Sequence, residues 1–279
     1  MSTNIMSFKA RIKTLANEEG IPAQVVLQNF MFERFFARLS KSTIRENLIL
    51  KGGTLISQYL GISRRTTMDI DITLQNAPLT VESVTSIVND IFTIDLNDEI
   101  SWKLHSISPI RDDDQYGGYR IRIDATLKTI VVPFSIDISS GDAITPAPED
   151  YFFKSIFDLN ESYRLKAYTI ETVIAEKIEA ILSLGTLSTR PRDYYDAFML
   201  TTAVRYSDKR LTSALQATTC HRGSKEAFAD WKTTLEEIEN SEIMNNRWTK
   251  YQKQFSFARE IGFAQICQHL SSVLSALSS

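Results

Sequence analysis

Asp69 and Asp71 alternate with Ile70 and Ile72 in the stretch from Met68 to Leu74. On a strand that alternation sends both carboxylates to one face and both isoleucines to the other. Two carboxylates side by side repel each other, and a divalent cation resolves the repulsion. Mg²⁺ in particular binds through one or two carboxylates plus substrate phosphates. The other use of such a pair is a solvated strand edge. Upstream, Gly52-Gly53-Thr54 follows the apolar run from Leu48 to Lys51. A turn of this kind brings bare backbone close to a ligand. A helix starting at about Thr54 offers unpaired N–H groups and a partial positive charge to a phosphate. Strand, glycine turn, helix and Asp-x-Asp strand therefore bring a phosphate seat and a metal seat together within residues 47–74.

A third carboxylate has to come from elsewhere. Residues 119–126 and 129–139 read as two strands, and each carries an acid, Asp124 and Asp137. Asp137 shares a face with Ser135, opposite Phe134, Ile136 and Ile138. Two-metal transfer needs an acid that binds only the ion serving the attacking hydroxyl, and alternation alone does not separate Asp137 from Asp124. The aspartates at 112–114 read as a solvated acidic turn, because consecutive residues do not converge on one ion. Helices are expected at 7–19, 22–40 and 79–92, and Phe32, Phe35, Phe36 and Leu39 form an apolar stripe on the second.

Pro146 and Pro148 break any regular element, so a domain boundary is expected within 146–168, in an aromatic-rich connection. Beyond it the pattern is almost wholly helical. On the helix expected from Thr169 to Gly185, Val173, Ile174, Ile178, Ile181 and Leu182 form an apolar arc. Lys177 lies inside that arc, and Glu176 and Glu179 lie outside it. Either the lysine stem snorkels to solvent or its ammonium points into a cleft to meet phosphate. In the next helix Asp193 sits in the first turn, where it favours the helix dipole, and Arg192 and Asp196 read as an i, i+4 surface pair. Trp248, Tyr251, Phe255 and Phe257 are expected to pack a helix onto its own domain, with base stacking the alternative.

With 279 residues and 43% hydrophobic content, the chain supplies a core for one large domain or two modest ones. The net charge of −3 gives no global attraction to nucleic acid, so any RNA contact needs a local basic surface. Cys220-His221 and Cys267-x-His269 are poorly spaced for zinc, and two distant cysteines make no disulfide framework. No signal-peptide stretch or membrane-length apolar run is present, so a reducing cytoplasm and no membrane contact are expected.

The order Lys51-Gly52-Gly53-Thr54, then Arg65, then Thr67-Met68-Asp69-Ile70-Asp71 resembles the signature of polymerase-beta-type nucleotidyltransferases. More narrowly it resembles the AbiEii/AbiGii-type branch, toxins of bacterial abortive-infection and type IV toxin–antitoxin systems. The segment QNFMFERFFARLSKS is similar to the lead-in helix of that family, and the likeness runs from about residue 7 to 200. Gly-Gly-Thr replaces the Gly-Ser of the wider superfamily, Thr67 stands where many relatives have Ser, and Leu184 where close relatives tend to have an arginine.

The resemblance implies an α/β fold, a polymerase-beta-like nucleotidyltransferase core with a small mixed sheet (residues 1–155) and a mostly helical C-terminal domain (156–279). The site would sit between them. Lys51, Gly52, Gly53, Thr54 and Arg65 would serve the nucleotide. Asp69, Asp71 and Asp137 would bind two Mg²⁺ ions, with Asp137 favoured over Asp124 on this ground. Ala175-Glu176-Lys177 matches a family motif whose lysine is functional, here toward phosphate. Arg190, Asp193 and Asp196 match residues that close the site over the nucleotide. The implied reaction is attack by an acceptor hydroxyl, expected on tRNA, on the α-phosphorus of a nucleoside triphosphate. Phage defence and an operon-encoded antitoxin acting without a stable complex are also implied. The residues alone leave two alternatives, a metal-dependent glycosyltransferase and a nucleotide-binding module without turnover.

Overall fold

The computed structural model describes residues 4–110, 117–158 and 160–277. The acidic turn expected at 112–114 lies outside them. Two compact units are present: one runs to Asp142 and takes in Glu149–Ala167, the other holds Ala143–Pro148 and everything from Tyr168 onward.

The first unit opens with helices α1 (Ile5–Glu19) and α2 (Ala23–Leu39). Asn4 caps α1 by accepting from the Met6 and Ser7 amides, and left-handed Gly20 ends it. The chain then alternates through β1 (Leu48–Lys51), α3 (Gly52–Leu60), β2 (Asp69–Leu74) and α4 (Val81–Phe92). Five strands follow: β3 (Ile100–Pro109), β4 (Gly118–Leu127), β5 (Ile130–Ser139), β6 (Glu149–Lys154) and β7 (Ser162–Ala167). They form one mixed sheet in the order β3-β4-β5-β2-β1-β7-β6. The β2/β5 and β1/β7 pairs are parallel and the others antiparallel.

Period-two alternation gives this sheet two unlike faces. Ile70, Ile72, Ile121, Ile123, Ile136 and Ile138 are all 1% exposed or less and form the apolar face. The aromatic stripe of α2 belongs to the same core: Phe32 meets Phe134 edge-on at 4.9 Å between ring centroids, and Phe36 meets Phe153 at 4.6 Å. Trp102 on β3 stacks on Phe92 of α4 at 5.4 Å. The opposite face carries Asp69, Asp71, Asp137 and the charged residues of β4.

Polar contacts fix α2 against the sheet at several points. Gln28 Nε2 donates to the Met68 carbonyl just before β2 (2.8 Å), and Arg38 forms a bidentate pair with Asp98. Glu33, buried, accepts from the Ser155 hydroxyl (2.9 Å) and the Ile156 amide (2.8 Å). This ties α2 to the turn between β6 and β7.

That strand pair corrects the expectation of an irregular connection over 146–168. Tyr163, Leu165 and Ala167 alternate inward with Ser162, Arg164 and Lys166, and Phe153 is buried opposite Tyr163. The pattern is period two, but short, preceded by Pro146 and Pro148 and interrupted by acids. The change from strand to helix falls at Ala167/Tyr168, inside the expected boundary stretch.

The second unit is helical: α5 (Ile170–Leu184), α6 (Pro191–Ala203), α7 (Asp208–Arg222), α8 (Lys225–Ala229), α9 (Trp231–Asn240), α10 (Glu242–Gln254) and α11 (Phe263–Leu277). The expected arc of α5 is buried. Glu179, expected outside it, is 4% exposed and pairs with Arg222 at 2.6 Å, because α7 packs on that side of α5. Trp248 and Tyr251 are buried within this unit, with Tyr195 6.1 Å from Tyr251, as core packing requires.

Replacing Glu33 by Ala strips the buried Ser155 hydroxyl and Ile156 amide of their acceptor. This is expected to cost about 3 kcal/mol, read as a lower urea midpoint at unchanged slope.

Candidate active site

Strand register builds the site. Asp71 on β2 lies opposite Asp137 on parallel β5, and Asp69 lies opposite Ser135. One carboxylate oxygen from each of Asp69, Asp71 and Asp137 falls within 4.8 Å of the others. Among the described residues this is the one cluster of three such side chains able to hold a metal ion. The triad therefore contains Asp137. Asp124 lies further along β4, in register with Pro133, and its carboxylate meets His105 Nε2 at 2.7 Å.

The row through Asp71 and Asp137 extends in both directions across the sheet. Lys51 on β1 faces Asp71, and Arg120 on β4 faces Asp137. Arg120 grips Asp137 with two donors, Nε to Oδ1 at 2.8 Å and Nη2 to Oδ2 at 2.6 Å. Hydrogen bonding to Asp137, its charge and those of Asp69 and Asp71 all hold the guanidinium firmly protonated. The Lys51 ammonium donates to Ser139 (2.7 Å) and Asp142 (2.5 Å). Arg120 was not singled out from sequence. Its alternation with Ile121 placed it on a face, but only the β4/β5 register places it beside Asp137.

The glycines contribute shape. Gly52 has a φ of +63°, and a Cβ there would stand 2.0 Å from Asp71 Oδ2 and 2.7 Å from Asp71 Cβ. The Gly53 amide donates to Asp71 Oδ2 at 3.2 Å. A Cβ on Gly53 would meet the Thr67 hydroxyl at 2.6 Å and Arg65 Nη2 at 3.2 Å. Helix α3 begins at Gly52 rather than at Thr54, so its open N-terminus lies directly against β2.

Several residues expected at the nucleotide have structural partners. The Thr54 hydroxyl donates to the Asp69 carbonyl (2.7 Å), and Thr67 donates to Asp69 Oδ1 (2.9 Å), which fixes that carboxylate. Arg65 is 2% exposed, and its guanidinium donates to the Thr66 carbonyl. Thr54 and Arg65 thus brace the loop that presents Asp69.

In the second unit, Lys177 does have an anionic partner: its ammonium donates to Asp193 at 2.7 Å and lies 3.5 Å from Asp196. Arg190 pairs with Asp193 at 2.8 Å. The reading of Arg192 and Asp196 as a surface pair is overturned, since Asp196 is fully buried while Arg192 is exposed and lies over the Phe255 ring. Helix α6 turns Asp193 and Asp196 to the same side, three residues apart, and both face α5. Leu184 is exposed.

Burial first, then the charges of Asp69 and Asp137, push the Asp71 carboxyl up to about 6. The Gly53 amide and Lys51 act in the opposite sense and do not cancel it. A group of half-buried, mutually repelling carboxylates with one raised value fits a divalent cation, which would remove the repulsion and displace the proton.

A model of the family described as the nucleotidyl transferase AbiEii toxin of type IV toxin–antitoxin systems matches residues 34–269. No curated protein matches the chain. Among solved structures the chain is similar to JHP933 from Helicobacter pylori, at 18% identity and a TM-score of 0.42, over 92% of this chain and 98% of that one. It is also similar to an antigenic nucleotidyltransferase-like protein from Paracoccidioides brasiliensis, at 13% identity and a TM-score of 0.46, over 89% of this chain and 93% of that one. Both likenesses are loose, and the classification rests on the family match.

Because the folded state raises the Asp71 value above that of an unfolded carboxyl (3.8), folding binds a proton between the two values. Ionised Asp71 then costs stability: nothing below both values, a growing amount as pH rises through them, and up to about 3 kcal/mol above 6. Asp71→Asn is therefore expected to raise the melting temperature of the metal-free protein at pH 7.5, and to raise it less at pH 5. Gly52→Ala, with its Cβ inside the Asp71 side chain, is expected to displace that carboxylate. Far-ultraviolet circular dichroism should show the fold retained while Mn²⁺ binding by paramagnetic resonance weakens at least tenfold.

Proposed function

The chain belongs to the AbiEii family of nucleotidyl transferase toxins of type IV toxin–antitoxin systems, and from that premise we propose that it transfers a nucleoside monophosphate from a nucleoside triphosphate to a hydroxyl of tRNA. The observation carrying the reading is the triad of Asp69, Asp71 and Asp137 on one sheet face, with the Gly52-Gly53 helix start against Asp71.

In this reading Asp69, Asp71 and Asp137 would together hold two Mg²⁺ ions. Bound Mg²⁺ would neutralise the carboxylates and polarise the reacting oxygens. Gly52 leaves room for the Asp71 carboxylate, and the N-terminus of α3 beside it presents backbone N–H groups to the triphosphate. The acceptor oxygen bonds to the α-phosphorus, the bond to pyrophosphate breaks, and the hydroxyl proton passes to solvent. Asp137, on the β5 side of β2, orients the acceptor. Thr54 and Thr67 keep Asp69 in place. Most of the catalysis is positioning and electrostatics.

As a toxin the protein would act in phage defence, opposed by an operon-encoded antitoxin that works without a stable complex. Among the described residues no helix is long and apolar enough to cross a membrane.

Incubation with Mg²⁺, total cellular RNA and each α-labelled nucleoside triphosphate should place label in a tRNA-sized band. Asp69→Ala is expected to lower the rate roughly a thousandfold, about 4 kcal/mol of transition-state stabilisation. Wild-type rate in that variant would remove the mechanism. Triphosphate binding without transfer to RNA or protein extract would indicate a nucleotide-binding module, and turnover of a nucleotide-sugar instead would indicate a glycosyltransferase.

A further inference from the structure

Next to the triad, the site face continues across β5, β4 and β3. Asp69 is in register with Ser135, Ser135 with Arg122, and Arg122 with Ser106. This second row runs parallel to the one that holds Arg120 and Asp137. Arg122 is exposed, and among the described residues no carboxylate pairs with it; the same holds for exposed Lys103, which faces Asp124 on the same side of the sheet. Between Leu104 and Ser106 the β3/β4 register shifts, and the extra residue is His105. A bulge of this kind re-aims a side chain, and here the imidazole is held against Asp124. His105, Arg122, Asp124 and Ser135 line a cavity of about 650 Å³. At ~3.3 Å per residue along β5, Ser135 lies ~7 Å from Asp137, so the cavity adjoins the triad.

We infer that this β3–β4–β5 face is the seat of the acceptor, and that the acceptor is a single-stranded RNA end whose phosphates meet Arg122 and Lys103 and whose base lies on His105. The inference rests on the proposed transfer reaction, in which Asp137 serves the attacking hydroxyl. The nucleotide seat at Gly52-Gly53 follows β1, on one side of β2; Asp137 is on β5, on the other. The acceptor must therefore extend away from the nucleotide, over β5 and β4. Arg122 and Lys103, without a carboxylate partner among the described residues, and an exposed imidazole form a local cationic surface of the kind RNA requires on a chain of net charge −3. Phosphates are attracted to the cations, and a splayed base stacks on a flat ring.

The test uses the full chain and a short labelled single-stranded oligoribonucleotide, with anisotropy recorded against salt in the absence of Mg²⁺ and triphosphate. Arg122→Ala should reduce the slope of log affinity against log salt by about 0.7, one phosphate contact on a single strand. Arg122→Glu should weaken binding at least tenfold, while the melting temperature and its rise with triphosphate and Mg²⁺ stay as in wild type. RNA binding by Arg122→Glu equal to wild type, with an unchanged salt slope, overturns the inference. So does transfer of label by wild type to protein rather than to RNA. Failure of the reaction itself is distinguishable: loss of RNA binding in Arg122→Glu together with a wild type that moves no label would leave the RNA seat standing and remove the transferase reading.

Discussion

Two carboxylates facing each other across parallel strands is the condition on which the site depends. Asp71 and Asp137 are in register, with Asp69 one step away on the same face. Desolvation first, then repulsion from Asp69 and Asp137, raises the Asp71 carboxyl to about 6. The sheet answers with a cation at each end of the row, Lys51 on β1 and Arg120 on β4. The row reads plus, minus, minus, plus across four strands, and cross-strand pairing of opposite charges makes it tolerable. What remains is a concentrated negative patch between fixed cations, a place where a divalent ion gains more than at an ordinary surface.

Around that row the packing keeps carboxylate positions narrow. Gly52 is open on its Asp71 side because any side chain would occupy the carboxylate's place, and Gly53 is closed in by Thr67 and Arg65. Thr54 and Thr67 hold Asp69 by its carbonyl and its carboxylate. From the other face, Ile70, Ile72, Ile136 and Ile138 anchor the same strands in the core under α2. Each strand of the site is thus held by apolar burial on one side and by polar contacts on the other.

Much of this was legible in the residues. Period-two alternation gave β2, β4 and β5, and it gave the faces on which Asp69, Asp71 and Asp137 lie. Period-3.6 arcs gave α2 and α5. Register was not legible, because alternation fixes a face and not a neighbour, so the grip of Arg120 on Asp137 and the bulge at His105 were invisible. Strands β6 and β7 were missed because their alternation is short and lies among prolines and acids. The burial of Glu179, outside the apolar arc of α5, and of Asp196, for which a surface pair is one of two readings, is not legible because a helical wheel does not show which second helix covers its polar side. Lys177 was recognised as out of place, and its partners Asp193 and Asp196 lie one helix further along.

The parallel pairing of β2 with β5 also governs when the three carboxylates come together. Asp69 and Asp71 leave the ribosome well before Asp137, and α4, β3 and β4 are made in between. Long-range parallel contacts form late, since loop closure must be met before they return anything. A nascent or truncated chain that ends before β5 carries the glycine turn and both paired acids, yet has neither the third carboxylate nor the strand that aligns it. The complete triad is therefore a property of the finished sheet and of no earlier stage of synthesis.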